Sequence, residues 1–216
     1  MNSRVPEGSV AEEKGTSSPL SSPTQISTGF VESAASLFRE QGYAACTTRD
    51  LASALGIQKS TLYHYIDRKE DLLYEICRQS LAELTGAVQA TLETVDSSTA
   101  VRAVIATHLS IVLAKKDMFS VTLMETRSLT GARREKILEA RLRYRNIIGE
   151  VVREGQLNGE LRNDIESTYL SMALFDHLNW ILFSHSLEGN HVPENIAEHY
   201  TRIYLEGAAA KPSDGN

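Results

Sequence analysis

Apolar side chains recur at helical spacing along most of this chain. Ile26, Phe30, Ala34 and Phe38 stand four positions apart, which places them on one face of an amphipathic helix. Comparable periodicity continues almost to the C-terminus, and no segment alternates strictly between apolar and polar residues as a half-buried strand would. The pattern therefore predicts an all-α protein.

Turn-forming residues divide this pattern into separate helices. Residues 22–25 read Ser-Pro-Thr-Gln and predict the capped start of the first helix, which Gly42 would end. Thr47 predicts the cap of a second helix that ends at Gly56. Further breaks are predicted near residues 96–98, 116–117, 131, 158–159 and 189–190.

Two short helices after Gly42 carry the strongest functional signal. The turn at residues 56–58 separates the second helix from a third of similar length, which would point Leu62 and Ile66 inward. Two short helices joined by a short turn that contains glycine are typical of a helix-turn-helix motif, whose second helix enters the DNA major groove. Residues 47–65 are therefore predicted to bind double-stranded DNA.

Composition completes the predicted domain organisation. Residues 1–21 are rich in Ser, Pro, Gly and Thr and nearly free of apolar residues, so they cannot offset the entropy of ordering. We expect flexible tails at 1–21 and 208–216. An N-terminal three-helix helix-turn-helix domain is expected at 22–68, followed by a C-terminal helical ligand-binding and dimerisation domain at 69–207.

Charge places a condition on the DNA prediction. The formal net charge is −6, whereas phosphate neutralisation by basic residues supplies most sequence-independent DNA affinity. The bases Arg49, Lys59, Arg68 and Lys69 must therefore face outward while the neighbouring acidic side chains face the protein. A DNA-binding surface of this kind depends on local arrangement and not on total charge.

The cysteines and the apolar segments indicate in which cellular compartment the protein works. Cys46 and Cys77 are too few for a disulfide framework and lack metal-ligand spacing, so both are expected to be small buried side chains. The longest strongly apolar stretch, residues 169–183, is interrupted by polar residues and is shorter than the roughly 20 residues of a membrane span. No secretory signal is visible. We expect a cytoplasmic protein without membrane contact.

Residues 42–73 contain an ordered series of short motifs. They read Gly-Tyr at 42–43, Thr-Thr-Arg-Asp-Leu-Ala at 47–52, Leu-Gly-Ile at 55–57, Ser-Thr-Leu-Tyr-His-Tyr at 60–65 and Lys-Glu-Asp-Leu-Leu at 69–73. In this order they resemble the DNA-binding domain of TetR-family repressors. The resemblance implies a homodimer that represses transcription from a palindromic operator and is released by a small-molecule effector.

The resemblance also implies roles for individual side chains. The hydroxyl of Thr48 can bond phosphate, and Arg49 can reach phosphate or guanine; the alternatives are a plain helix-start residue and a solvated charge. Lys59 can read guanine or touch phosphate. Lys69 opposes the helix dipole at the start of the fourth helix unless phosphate binds there, or it is an ordinary exposed lysine. The predicted DNA-binding residues are Thr48, Arg49, Lys59, Ser60, Thr61, Tyr63, His64 and Lys69.

The C-terminal half shows a second, looser resemblance. Tyr-Arg at 144–145, Glu-Gly at 154–155, Gly-Glu-Leu at 159–161, Leu-Asn-Trp at 178–180 and Pro-Glu-Asn-Ile-Ala at 193–197 resemble acyl-CoA-responsive TetR-family regulators of steroid and fatty-acid catabolism. This implies an apolar pocket for an acyl-CoA effector. The candidate lining residues are Leu109, Val112, Phe119, Leu123, Met124, Arg127, Arg145, Ile148 and Phe175.

Ordinary structural roles compete with these pocket assignments. Each apolar candidate is of a type that commonly fills a core. Arg127, Arg141 and Arg145 can meet a phosphate or thioester of the effector, or they can belong to a salt-bridged surface, since Glu139 lies four residues before Arg143.

A dimer interface is predicted in the last two long helices. Residues 164–185 are apolar nearly all round, so one side of this helix must pack against the body and the other against a partner subunit. Trp180 and Phe183 would anchor the interface or fill their own core. The predicted interface residues are Ala173, Trp180, Phe183, Ile196, Tyr200 and Ile203.

No enzymatic chemistry is predicted, and three rival functions remain. The sequence shows no recognisable nucleophile-base arrangement, and His108, His177 and His185 lack metal-ligand spacing, so neither a metal nor a cofactor is expected. The rivals are a drug-responsive efflux regulator of the same family, a helical ligand carrier that does not bind DNA, and an enzyme whose site lies among the histidines.

Overall fold

The computed structural model describes residues 28–183 and 193–208. Every regular element in these ranges is helical, as the all-α prediction requires. The helices are α1 Thr28–Gln41, α2 Thr48–Ala54, α3 Lys59–Leu62, α4 Lys69–Leu92, α5 Ala100–Ala114, α6 Lys116–Glu125, α7 Gly131–Leu157, α8 Ser167–Trp180 and α9 Pro193–Ala208, with short 3-10 turns at Ser97–Thr99, Thr126–Ser128 and Ile181–Phe183.

Helix ends follow the predicted turn residues closely. Thr47 caps α2, with its hydroxyl accepting from the Asp50 backbone N–H at 3.2 Å and the Asp50 carboxylate accepting from the Thr47 N–H at 2.8 Å. Gly42 and Gly56 have φ of +81° and +65°, a left-handed conformation that side chains with a Cβ disfavour. The predicted tail at 1–21, the helix start at 22–25 and the break at 189–190 lie outside the described residues. So do residues 209–216 of the predicted C-terminal tail, whose first residue, Ala208, instead ends α9.

The third helix is shorter than the sequence pattern predicts. Regular α-helix ends at Leu62. The Tyr63 N–H still bonds four residues back, to the Lys59 carbonyl at 3.3 Å, but the N–H groups of His64 and Tyr65 bond to carbonyls three residues back at 3.1 and 3.0 Å. Such bonds tighten the end of a helix into a turn. The inward positions are as predicted, since Leu62 and Ile66 are buried.

Two apolar cores meet along α4. The first core contains side chains of α1, α2 and α3 together with Leu73 and Ile76 of α4 and Ile137 of α7. The second contains Leu84 and Val88 of α4 with side chains of α5 to α9. The proposed domain boundary at 68/69 falls at the start of α4, so this helix connects the helix-turn-helix to the C-terminal bundle within one packed body.

One segment of the described chain, which includes all of α5, is long and apolar enough to resemble a membrane span, and it is not residues 169–183. Ser97–Ala114 is long and apolar enough to cross a membrane by length and composition alone, with a mean hydropathy of 1.4. In the fold, Val101, Ile105 and Leu109 of this segment are fully buried among the surrounding helices. Cys46 and Cys77 are also buried and unpaired, as predicted.

Candidate nucleic-acid interface and effector cavity

α2 and α3 present their polar side chains on a shared surface. The Thr48 hydroxyl, in the first turn of α2, lies 3.3 Å from the Tyr63 hydroxyl at the end of α3. The Lys59 ammonium lies 5.8 Å from the centre of the Tyr63 ring. Tyr63 is 45% exposed. The sequence-predicted residues on α2 and on the α3 segment are exposed or half-buried: Thr48, Arg49, Lys59, Ser60, Thr61, Tyr63 and His64.

Two of the neighbouring acidic groups, Asp50 and Glu70, are held by hydrogen bonds within the protein. Asp50 is engaged in the α2 capping box, and hydrogen bonds from Thr47 hold the pKa of its carboxyl below the usual value. Glu70 is buried against the C-terminal bundle. The expected placement of acidic side chains toward the protein is thus found for Glu70, whereas the bonds of Asp50 lie at the exposed start of α2 and Asp67 is exposed.

Lys69 has protein partners that the sequence did not indicate. Its ammonium donates to the backbone carbonyls of Tyr43 at 2.5 Å and Cys46 at 2.6 Å, with the Ala44 carbonyl at 3.4 Å. It also lies 4.3 Å from the centre of the Tyr43 ring. Lys69 therefore ties the α1–α2 loop to the start of α4, and its contact with DNA stays a prediction.

Replacing Lys69 with Met should destabilise the fold, because Met keeps the apolar stem but leaves two carbonyls without their donor. We expect a loss of about 1–3 kcal/mol in the free energy of unfolding, measured by urea denaturation. Lys59→Met, at an exposed position, serves as the matched control and should change stability by no more than about 0.5 kcal/mol. Equal stabilities for the two variants would contradict the loop-holding role.

A small cavity lies where α4, α5, α6, α7 and α8 meet. Its volume is about 30 Å³, roughly the share of one water molecule in the liquid. The lining residues are Leu81, Leu84, His108, Phe119, Thr122, Leu123, Arg141, Tyr144, Phe175 and Asn179.

The predicted pocket residues divide into three groups around this cavity. Phe119, Leu123 and Phe175 line it. Three more are buried in the apolar core of the same bundle without lining it, and three are exposed on its surface. The buried group is Leu109, Val112 and Ile148, and the exposed group is Met124, Arg127 and Arg145.

Arg141 lines the cavity; the sequence offered it as a contact for a phosphate or thioester of the effector but not among the predicted lining residues. It follows the buried Ile137 by four residues and precedes the buried Tyr144 by three, so it shares their face of α7. Burial lowers the pKa of its guanidinium, and within the described residues it forms no ion pair with a carboxylate. A half-buried unpaired cation at a cavity wall favours binding of an anionic or strongly polar group.

His108 and Tyr144 form a buried pair beside Arg141. The His108 Nδ1 lies 2.6 Å from the Tyr144 hydroxyl, and His108 is 1% exposed. Its other ring nitrogen, Nε2, has no hydrogen-bond partner among the described residues. Burial disfavours the charged imidazolium and lowers the pKa of His108 from 6.5 to about 3.

This pKa predicts a specific dependence of stability on pH. Because the unfolded chain protonates His108 below about pH 6.5 and the folded chain does not, stability contributed by the neutral ring is complete above that pH and falls as pH decreases toward about 3. The expected slope is about 1.4 kcal/mol per pH unit. In chemical denaturation at about pH 7, 6 and 5, the wild type should lose stability relative to His108→Asn, which keeps hydrogen-bonding capacity without titrating; parallel curves would contradict the assignment.

An open groove between α4 and α7 adjoins the cavity. Its volume is about 380 Å³ and Leu81 lines both spaces. The groove carries the exposed cations Arg78, Lys136 and Arg143 and one lining carboxylate, Glu139, and Arg78 donates two hydrogen bonds to the neighbouring Glu75 carboxylate. Arg143 and Glu139 are 4.0 Å apart, so the surface ion pair that competes with the ligand role is present at this position.

Polar contacts connect the start of α4 with the start of α7. The Glu70 carboxylate accepts from the Thr130 backbone N–H at 2.7 Å and its hydroxyl at 2.9 Å. Arg133 pairs with Asp71 and lies 3.9 Å from Glu70. Burial alone would raise the pKa of Glu70, but the Thr130 bonds and the nearby arginines outweigh it and lower that pKa. We call these four residues, Glu70, Asp71, Thr130 and Arg133, the α4–α7 bridge.

α8 and α9 expose apolar side chains on their outer faces. Trp180 is 69% exposed and packs against Phe183 at a ring-centroid distance of 5.4 Å, and Ile203 is 61% exposed. Tyr169 and Met172 add to the exposed apolar area. Of the other predicted interface residues, Ala173 is exposed, whereas Ile196 and Tyr200 are half-buried.

The histidines do not come together. His108 lies in the cavity wall, whereas the His177 ring packs 4.2 Å from that of Tyr200. His185 lies outside the described residues. Within the described residues, no group of three or more His, Cys, Asp or Glu side chains is arranged to hold a metal ion.

Two protein families match the chain. Residues 94–208 match the family described as "Tetracyclin repressor-like, C-terminal domain". Residues 30–76 match the family described as "Bacterial regulatory proteins, tetR family". The second match covers the surface formed by α2 and α3, and the first covers the cavity helices α5 to α8.

Individual proteins match over most of the chain. The HTH-type transcriptional repressor KstR2 of Rhodococcus jostii (strain RHA1) is 29% identical over 186 residues, which cover 85% of this chain and 91% of that protein. The structure of PfmR, a TetR family transcriptional regulator from Thermus thermophilus, aligns with a TM-score of 0.76 and 30% identity over 85% of this chain and 99% of PfmR. AibR in complex with isovaleryl coenzyme A and operator DNA shares the fold, with a TM-score of 0.73 and 22% identity over 81% of this chain and 95% of AibR.

Proposed function

This chain belongs to the TetR family of bacterial regulatory proteins, and we propose that it is a homodimeric repressor whose operator complex is dissociated by an acyl-CoA thioester. The observation that carries the proposal is that polar side chains lie both on the outer surface of α2 and α3 and at the cavity in the C-terminal bundle. Basic and hydroxyl groups face outward on α2 and α3, while an unpaired arginine and an unpartnered histidine nitrogen lie at the cavity inside the described part of the bundle. α4 contributes to the cores of both parts.

The DNA contacts follow from the position of α3. N-terminal residues of a recognition helix meet base edges, which assigns Lys59, Ser60 and Thr61 to the major groove. Thr48 and Tyr63, whose hydroxyls adjoin, donate to a phosphate beside the groove. Arg49 reaches either a phosphate or a guanine.

Operator binding is tested by fluorescence anisotropy with DNA from upstream of the protein's own coding sequence, over a range of salt concentrations. Loss of one phosphate contact reduces the salt slope by about one. If Lys69 touches phosphate, Lys69→Met flattens the slope; if it only holds the α1–α2 loop, affinity falls while the slope is retained. No specific binding at any salt concentration would favour the ligand-carrier alternative.

Effector binding must open the bundle. A cavity of about 30 Å³ is far too small for an acyl chain, so a bound chain has to move apart the helices that surround it. A ligand shifts an equilibrium only by its differential affinity for the two states, and typical couplings are about 1–3 kcal/mol. Because α4 lines the cavity and begins beside the DNA-binding surface, its displacement changes the spacing of the two recognition helices.

The choice of a CoA thioester rests on the groove beside the cavity. An acyl group that enters past Leu81 leaves a phosphate-bearing head in the α4–α7 groove, where Arg78, Lys136 and Arg143 lie. Arg141 lies near the junction, within reach of the thioester end of such a ligand. AibR, which shares the fold, was crystallised with isovaleryl coenzyme A and operator DNA.

Calorimetric melting with octanoyl-CoA, octanoate, CoA alone and crystal violet tests this assignment. A ligand at about a hundred times its Kd stabilises the fold by about 2.7 kcal/mol, and only octanoyl-CoA should do so and also release operator DNA. The Lys136→Ala, Arg143→Ala double variant should weaken octanoyl-CoA binding, with Arg153→Ala, Arg202→Ala as the control for the loss of two charges elsewhere. Stabilisation by crystal violet alone would favour a drug-responsive regulator.

Replacing Trp180 with Glu should convert the dimer to monomer or unfold the chain, because a buried unpaired carboxylate opposes an apolar interface of α8 and α9. Light scattering during gel filtration measures the mass. Leu157→Glu is the matched control, since Leu157 is 70% exposed at the end of α7, and it should stay dimeric. A monomeric wild type would contradict the proposed interface.

The relatives of this chain also support a proposal about its catalytic activity and its cellular compartment. KstR2 of Rhodococcus jostii, which matches most of the chain, is a transcriptional repressor, and we extend this to a chain that works in the cytoplasm and lacks catalytic activity. The experiment that separates a regulator from an enzyme is incubation with octanoyl-CoA: a regulator returns the thioester unchanged.

A further inference from the structure

We propose that the acyl group of the effector carries a ketone or another neutral acceptor oxygen, which receives a hydrogen bond from Nε2 of His108. This inference rests on the proposed function and names the class of acyl group within it. The observation behind it is a buried nitrogen, without a hydrogen-bond partner among the described residues, in a cavity wall that also carries the unpartnered hydroxyl oxygen of Thr122 and is otherwise largely apolar.

The hydrogen-bond pattern decides which group His108 presents to the ligand. A neutral imidazole has one N–H donor and one acceptor nitrogen. If the Tyr144 hydroxyl donates to Nδ1 across their 2.6 Å contact, Nε2 carries the hydrogen and is the donor of this pair that is left for a ligand. In the opposite arrangement Nδ1 carries the hydrogen and donates to the Tyr144 oxygen, so that the Tyr144 hydroxyl hydrogen and the Nε2 lone pair both lack a partner. The first arrangement satisfies more groups and makes His108 a donor.

The charge state of His108 indicates what it can bind. Its pKa of about 3 keeps the ring neutral at physiological pH, so it offers a neutral N–H and no ion pair. A ligand carboxylate would gain little from this group and would itself be desolvated among Phe119, Leu123 and Phe175. A ketone oxygen accepts a hydrogen bond without a buried charge.

The rest of the wall limits where that oxygen can lie. His108 belongs to α5, whereas Arg141 belongs to α7 and is only half-buried. The thioester end meets Arg141 near the groove, and the oxygen that meets His108 lies further along an otherwise apolar acyl group. A saturated acyl chain entering the same space would leave Nε2 unpaired. A site built around a polar group selects strongly against a ligand that lacks the matching partner.

The test compares octanoyl-CoA with chain-matched ketones in which the oxo group stands in turn near the thioester, at mid-chain and beside the terminal methyl. Affinities for the full-length dimer are measured by titration calorimetry. One oxo position should bind about tenfold more tightly than octanoyl-CoA, the size of one hydrogen bond to an otherwise unpaired group.

Three variants assign that preference to His108. His108→Phe should remove the preference for the ketone, measured as the ratio of its Kd to that of octanoyl-CoA, and His108→Gln, which keeps an N–H donor, should retain part of it. His177→Phe makes the same replacement outside the cavity lining and should leave the preference unchanged. A preference that survives in His108→Phe would overturn the assignment.

Failure of the inference differs from failure of the proposed function. Equal binding of octanoyl-CoA and all the ketones by the wild type would disprove the acceptor oxygen but leave an acyl-CoA effector in place. Absence of binding by every thioester, in a protein that melts cooperatively, would overturn both.

Discussion

The Arg49→Ala, Lys59→Ala double variant should bind its operator at least about a hundredfold more weakly than the wild type. Each bidentate base contact is worth about 1–3 kcal/mol of discrimination, and a dimer makes every contact twice. Both side chains are exposed, so the variant should fold and dimerise normally. Anisotropy with operator DNA and with an unrelated duplex measures the loss of affinity and of specificity.

The matched control for that variant removes two other exposed arginines. Arg153→Ala, Arg202→Ala takes the same charge from α7 and α9, where each arginine pairs with a glutamate of its own helix. It should change operator affinity only through the net charge, by a few-fold at low salt. If both double variants bound the operator equally well, the assignment of α2 and α3 to DNA would fail.

The second large effect is expected at the α4–α7 bridge. Arg133→Met removes the charge that pairs with Asp71 and lies near Glu70. It should leave octanoyl-CoA affinity within about threefold but reduce the coupling between effector and operator by about 1–2 kcal/mol. The reason is that α7 lines the cavity and contacts the start of α4 through this bridge.

A four-way measurement separates coupling from binding. The operator Kd is determined with and without saturating octanoyl-CoA, and the octanoyl-CoA Kd with and without operator, because the two ratios must agree. Arg134→Met, which removes the next arginine along α7 without an ion pair in the described chain, is the control. A full effector response in Arg133→Met would exclude the bridge as the route of coupling.

Local signals account for most of the fold that could be predicted. Thr47, Gly42 and Gly56 act through hydrogen bonds and backbone conformations of adjacent residues, so their positions define the ends of α1 and α2 without knowledge of the tertiary structure. The length of α3 was overestimated, because the end of this helix depends on whether a backbone N–H bonds to the carbonyl three or four residues back. That choice depends on the packing of the following turn.

The DNA-binding surface was predicted from motifs that follow one another in order within residues 42–73. Because these residues are close together in the chain, the sequence pattern was enough to predict which side chains of α2 and α3 face the solvent. The cavity was predicted less completely. Phe119, Leu123 and Phe175 were identified, whereas Met124 and Arg145 are exposed. Hydrophobicity alone does not reveal which face of a helix meets a cavity, since core and cavity residues are of the same types.

By itself, the sequence determined the helical class, the C-terminal end of α1, both ends of α2, the helix-turn-helix and the family, because each is specified by residues close together in the chain. Only the tertiary structure decided that Lys69 holds carbonyls 23 to 26 residues away, that His108 pairs with Tyr144 across 36 residues, and that Glu70 reaches Thr130 across 60. Periodicity shows that such side chains are on a buried face but not which partners meet them there. The relative placement of whole helices sets those contacts, and it depends on packing summed over the entire chain.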